Sequence, residues 1–310
     1  MSGFFRKWLY GDGSKKDFSS ADLPRTRAQV YKRLIKTQTG RLLRANWWML
    51  LFCLPFLAWN LVCLSYGSSF DVTTAEGQQH YTNFLLTIKY PFTILGIAIA
   101  FLGFSGLIFL VRNMCWGLPA SVTRTYFRGI KSSWWQFLVI GFLVSVIWCL
   151  FDYAFVLLNF SALTTLQLIL IYAVMVFALV MLLCGLMFLV NLISTYKMSL
   201  LSAIKNSFLL SIKYFLKSLG ILCITVLPVF LLEIFGIVLL NIIAYILLAA
   251  FGFVHVAIVW HLFTNSVFDN HINKKTYPDF YRKGLSPLTV NTCSTKVAVP
   301  AKNDSNDEIK

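Results

Sequence analysis

The chain has 310 residues, 58% of them hydrophobic and 13% charged, with a mean hydropathy of +0.73. Soluble domains carry about 25% charged residues, so this sequence lacks the polar surface to cover a water-soluble fold, and a lipid bilayer is the implied solvent. The formal charge of +15 would suit nucleic acid, but its distribution along the chain reads as a membrane-topology signal and excludes that partner.

Residues 1–45 are basic and polar and contain no apolar run of signal-peptide length; they read as a cytoplasmic N-terminal segment. A transmembrane domain follows over 46–263. A spanning helix needs roughly 20 apolar residues, and the pattern predicts spans at Trp47–Tyr66, Tyr90–Val111, Phe137–Leu158 and Leu166–Ile193. The last apolar run, Leu219–Phe263, is long enough for two spans joined by a tight turn near Glu233–Asn241. Residues 264–310 form a cytoplasmic tail. From about residue 286 it is rich in Ser, Thr and Asn and is expected to be disordered.

Charge fixes the orientation. With six spans, every Lys and Arg except Lys89 falls in the N-terminal segment, in the second and fourth connections, or in the tail. Basic residues resist translocation, so this side is cytoplasmic and both termini lie there, in a multi-pass protein of the cell membrane. The same side would meet anionic lipid headgroups.

A coarse repeat accompanies the spans. Each pair is preceded by a basic amphipathic segment. In the first, Lys32, Arg33 and Lys36 oppose Tyr31, Leu34 and Ile35. In the second, Arg124, Arg128 and Lys131 oppose Tyr126, Phe127, Ile130, Trp134 and Phe137. In the third, Ser199, Ser202, Asn206, Lys213 and Lys217 oppose Leu200, Ile204, Phe208, Ile212 and Phe215. The expected fold is therefore an all-α bundle of three transmembrane hairpins, each preceded by a cytoplasmic amphipathic helix. Whether these helices lie in the headgroup plane or extend the spans as helical stubs is open at this level.

Ionisable groups within apolar spans are the natural functional candidates, because each is costly in hydrocarbon. Asp152 and Glu233 fall near the outer boundary of the core; they form either an acidic pocket for a cation or sugar hydroxyl, or a pair of carboxylates reaching the outer headgroups. His255 falls near the midplane and is expected to bond a neighbouring carbonyl. His261, beside Trp260, reads as an interfacial residue. Pro55 and Pro228 interrupt the first and fifth spans, as packing kinks or as openings toward a cavity. The seven cysteines are odd in number and lack CxxC spacing, which argues against a disulfide framework or a zinc site. Catalytic signatures such as a P-loop, HExxH, GxSxG or a dinucleotide turn are missing, and no cofactor or metal is implied.

Three stretches carry a resemblance: the run from Asn46 to Pro55, the aromatic-basic segment Tyr126–Phe137, and the helix Ala203–Lys213. Together they make residues 40–280 similar to the YesL family of bacterial multi-pass membrane proteins, a group of unknown molecular function. Leu118–Thr125 departs from the acidic pattern usual in that family. The family's association with carbohydrate-uptake genes implies a sugar transporter or sensor as partner. The expected role is a non-enzymatic accessory or scaffold; the alternative is a small-solute transporter using Asp152 and Glu233.

Overall fold

The computed structural model describes residues 23–225 and 246–286. All regular secondary structure among them is helical. We number the helices α1 (Arg27–Gly67), α2 (Ala75–Phe84), α3 (Tyr90–Cys115), α4 (Val122–Phe160), α5 (Thr165–Thr195), α6 (Leu200–Lys213), α7 (Phe215–Thr225) and α8 (Phe253–Phe268). Five stretches are long and apolar enough to cross a membrane: α1, α2 with α3, α4, α5, and Ala249–Thr276 around α8. The bent pair α6–α7 is a further candidate. The expected turn near Glu233–Asn241, with Glu233 and Pro228 themselves, lies outside the described residues.

Local chemistry sets the helix boundaries. Thr26 and Gln29 form a reciprocal capping box at the start of α1, and Thr164 and Gln167 do the same for α5, satisfying amides that a helix start leaves orphaned. Helix α3 stops at Trp116, where Gly117 adopts φ +71°, a left-handed conformation that only glycine takes without strain. The outer connection expected over Gly67–Lys89 is mostly helical. Helix α2 runs through a π-helical turn, Leu85–Lys89, directly into α3, leaving only residues 68–74 as a loop.

The amphipathic segments join the spans by a shared backbone device. Helix α1 departs from helical geometry at Gln38 (φ −126°, ψ 19°) and α4 at Ser133 (φ −141°, ψ 19°). The α6–α7 junction does so at Tyr214 (φ −111°, ψ 23°). Just ahead of each break a hydroxyl bonds back to a carbonyl of the preceding turn, a contact that bends helices. Thr37 donates to the Arg33 carbonyl at 2.7 Å, Ser132 to Gly129 at 2.8 Å and Ser211 to Phe208 at 2.8 Å. The third break turns the chain through 92°. In α1 and α4 helical segments lie on both sides of the kink, and their 41 and 39 residues amount to about 60 Å of helix, twice a ~30 Å hydrocarbon core. The breaks therefore separate a spanning part from a part that reaches beyond one core thickness.

Helix α3 is the hub, packing against α1, α4, α5 and α8. Its Leu107, Ile108 and Val111 are fully buried with Phe137 and Ile140 of α4, Phe188 of α5 and Val254 and Ile258 of α8. Crossing of α3 and α4 depends on small residues. A Cβ at Gly129 would stand 2.6 Å from Phe109 Cβ and 3.1 Å from the Gly106 Cα, so the two backbones meet with nothing between them. The outward surface is the reverse of a soluble protein's. Leu54, Leu61 and Leu64 of α1, with Leu166, Ile169, Val174 and Phe177 of α5, are exposed. Such continuous apolar surface is stable only against lipid.

Candidate functional site

Asp152 does not stand free. Its Oδ2 lies 2.8 Å from Nζ of Lys89, the one basic residue on the outer side of the expected topology. The Lys89 carbonyl in turn accepts from Trp59 Nε1 at 3.1 Å. An aromatic cluster of Phe84, Tyr90, Trp59, Tyr81 and Tyr153 encloses this end of the bundle. The charge that breaks the positive-inside pattern is thus neutralised where it sits.

The other expected positions fall as follows. His255 Nδ1 is 2.9 Å from the Tyr31 hydroxyl, so its partner is a side chain of the first amphipathic segment and not a carbonyl. His261 is 1% exposed and bonds Asn191 Oδ1 through Nδ1 at 3.0 Å. It is a core residue, contrary to the interfacial position its neighbour Trp260 suggested. Helix α1 keeps helical geometry through Pro55, and its backbone break lies at Gln38. Arg124, Arg128, Lys131, Lys213 and Lys217 are all exposed. The apolar side of α6 is exposed too, at Phe208 and Ile212, while Ala203, Ser207 and Ser211 face inward. Five of the cysteines are buried and Cys223 is exposed. Among the described residues no group of three or more His, Cys, Asp or Glu is placed to hold a metal ion.

The most elaborate polar construction lies at the basic end and centres on α8. His261, Asn265, Asp269 and Asn273 recur every fourth residue, which puts them on one face of the helix and the π-helical turn that continues it. Between them they hold the start of α1, the end of α3, the end of α5 and the chain around Arg282. His261 bonds α5 through Asn191. With its amide turned so that the oxygen faces both donors, Asn265 accepts from Trp116 Nε1 at 3.2 Å and Arg27 Nη1 at 3.3 Å. Asp269 Oδ2 pairs with Arg27 Nη2 at 2.6 Å, and its Oδ1 accepts from Asn273 Nδ2 at 2.8 Å and the Arg282 amide at 3.2 Å. The Tyr196 hydroxyl donates to Asn273 Oδ1. Burial, reinforced by the Asp269 charge, raises the Tyr196 phenol above its ordinary value, so it remains a donor. Arg27 also donates to the Lys283 carbonyl at 3.0 Å. Trp116 stacks on Phe280, with the Lys283 ammonium 4.9 Å from its ring.

Next to this network, α3, the α4 break, the end of α5 and the start of α6 enclose a cavity of about 520 Å³. Arg112 enters it, held over Phe109 at 4.2 Å and Trp116 at 5.0 Å, its guanidinium donating to the Ser194 carbonyl and Asn113 Oδ1.

Comparison with protein-family models, with curated proteins and with solved structures finds no match to this chain.

Proposed function

We propose that the chain is an integral membrane scaffold of six spans, arranged as three hairpins with both termini in the cytoplasm, whose basic end is a rigid docking platform rather than a catalytic site. The observation that carries this reading is the polar stripe of α8. It fastens the first amphipathic segment, the ends of α3 and α5, and the chain as far as Lys283 into one construction at the basic end. Equal backbone breaks at Gln38, Ser133 and Tyr214 support three repeated units. In each, a basic amphipathic helix lies at the headgroups before its hairpin. The carboxylates Asp152 and Asp269 are both committed to ion pairs, which favours a structural over a solute-carrying role for them. The link to carbohydrate uptake or sensing, and a sugar transporter or sensor as partner, rests on the resemblance to the YesL family.

Two measurements test this. Single cysteines at Ser69 and Ser286 in a cysteine-free chain are expected to react with impermeant maleimide from opposite sides; labelling of both from one side defeats the six-span arrangement. Purified chain reconstituted in vesicles is expected to give no sugar uptake above empty vesicles, and Asp152→Asn with Glu233→Gln to leave uptake by cells unchanged. Saturable uptake by the purified chain, abolished in that double variant, would replace the scaffold with a transporter.

A further inference from the structure

The cavity beside Arg112 has the chemistry of an anion site. Its charged lining is Arg112 and Lys197, with no carboxylate among the lining residues. Arg112 has no acidic partner among the described residues, where Arg27 and Lys89 each have one. Its bonds to Asn113 and Ser194 employ three of the five guanidinium N–H groups and leave two. Thr195 also lines the cavity; it is 8% exposed, and its buried hydroxyl has no partner among the described residues. A buried hydroxyl without a hydrogen bond is costly and marks a missing acceptor or donor. Ser132 and Ser199 also line it, but their protons already go to the Gly129 carbonyl and to Ser202 Oγ. Ser199 caps the fourteen-residue α6, whose positive end therefore points to this place, and no acidic residue occupies its first turn.

We infer that this cavity binds a phosphate group. A phosphate offers several acceptor oxygens at once, which suits a guanidinium, an ammonium, an unpartnered hydroxyl and a helix start better than a single carboxylate does. Two sources share this chemistry: the headgroup of an anionic phospholipid, and a free phosphorylated solute. The exposed indole of Trp135 on the cavity wall sits as an interfacial tryptophan does, which places the opening at headgroup level. The lipid source rests on the membrane reading of the bundle, and neither source depends on the scaffold role.

The test is calorimetric titration of the purified full chain in dodecyl maltoside with dihexanoyl phosphatidylglycerol and, separately, with inorganic phosphate. Saturable binding of at least one probe is expected. Arg112→Gln should weaken it by about tenfold and Thr195→Val by about threefold, as expected for a charge-assisted and a neutral hydrogen bond. Arg124→Gln, on the basic face outside the cavity, should change it by less than about twofold. Arg112 also ties α3 to α5, so Thr195→Val and Lys197→Gln decide the matter if Arg112→Gln fails to fold. Tighter binding of the short-chain lipid assigns a headgroup, and tighter binding of phosphate assigns a solute. The inference is overturned if neither probe saturates, or if Thr195→Val and Lys197→Gln both bind as the parent chain does. Failure of both titrations while the maleimide topology holds would remove the site and leave the scaffold reading intact.

Discussion

Replacing Asp269 by alanine is expected to destabilise the folded chain by about 3–5 kcal/mol, the cost of stranding one member of a buried ion pair. Arg27 and Asp269 have side chains only 12% and 9% exposed, so the guanidinium left behind has little water to turn to. The loss extends past the pair. Asp269 also accepts from the amides of Asn273 and Arg282, and Arg282 holds φ +51°, a left-handed conformation that a non-glycine residue keeps only under restraint. Thermal unfolding in detergent, followed by loss of the monodisperse peak on size exclusion, measures the effect. The companion double variant Arg27→Met with Asp269→Leu is expected to be milder than Asp269→Ala alone, since it removes both charges together. If the double variant is as damaging as the sum of its parts, the two residues do not act as a pair and the network has been misread.

The contrast between what sequence pattern conveys and what it hides is instructive at these same residues. The long apolar helices α1, α3, α4 and α5 were legible because they depend on a bulk property, length of apolar run, which needs no knowledge of neighbours. The amphipathic segments were legible from helical periodicity, although the inward side of α6 proved to be the small residues Ala203, Ser207 and Ser211 and the outward side Phe208 and Ile212. In lipid the apolar face has no reason to turn inward, and close packing selects small residues for the interface. The partner of Asp152 was hidden because Lys89 lies 63 positions away in the chain, and pairing across that distance is set by how α3 and α4 cross. His261 was misplaced for a related reason: a histidine near a tryptophan at a span end reads as interfacial until the asparagine opposite it on α5 is known. One signal was available. The stripe His261, Asn265, Asp269, Asn273 at every fourth position is visible in the sequence, and a polar stripe on an apolar helix marks a buried docking face.

Asn46 makes the same point from the middle of the bundle, and its replacement by leucine is expected to cost about 2–4 kcal/mol through two backbone groups left unpaired. Ahead of α8 the helix passes through a π-helical turn, Leu248–Gly252. A change of hydrogen-bond register of this kind leaves main-chain groups without the usual partner four residues away. Asn46, 0% exposed on α1, meets two of them. Its Nδ2 donates to the Ala249 carbonyl at 2.5 Å and its Oδ1 accepts from the Val254 amide at 3.0 Å. A single amide side chain thus supplies both a donor and an acceptor to an irregular stretch in apolar surroundings, where water is not at hand to substitute. Leucine shares the γ-branched outline of asparagine and keeps the helix but is larger, so the loss combines the two hydrogen bonds with some crowding of the site. The readout is residue-specific. Amide exchange at Val254 is expected to quicken in Asn46→Leu by about tenfold or more, with a lower unfolding temperature, while Ile258, one turn further into regular α8, keeps its protection relative to the global opening. Unchanged exchange at Val254, with an unchanged unfolding temperature, would mean that the π-helical turn satisfies itself and that Asn46 is not what joins α1 to α8.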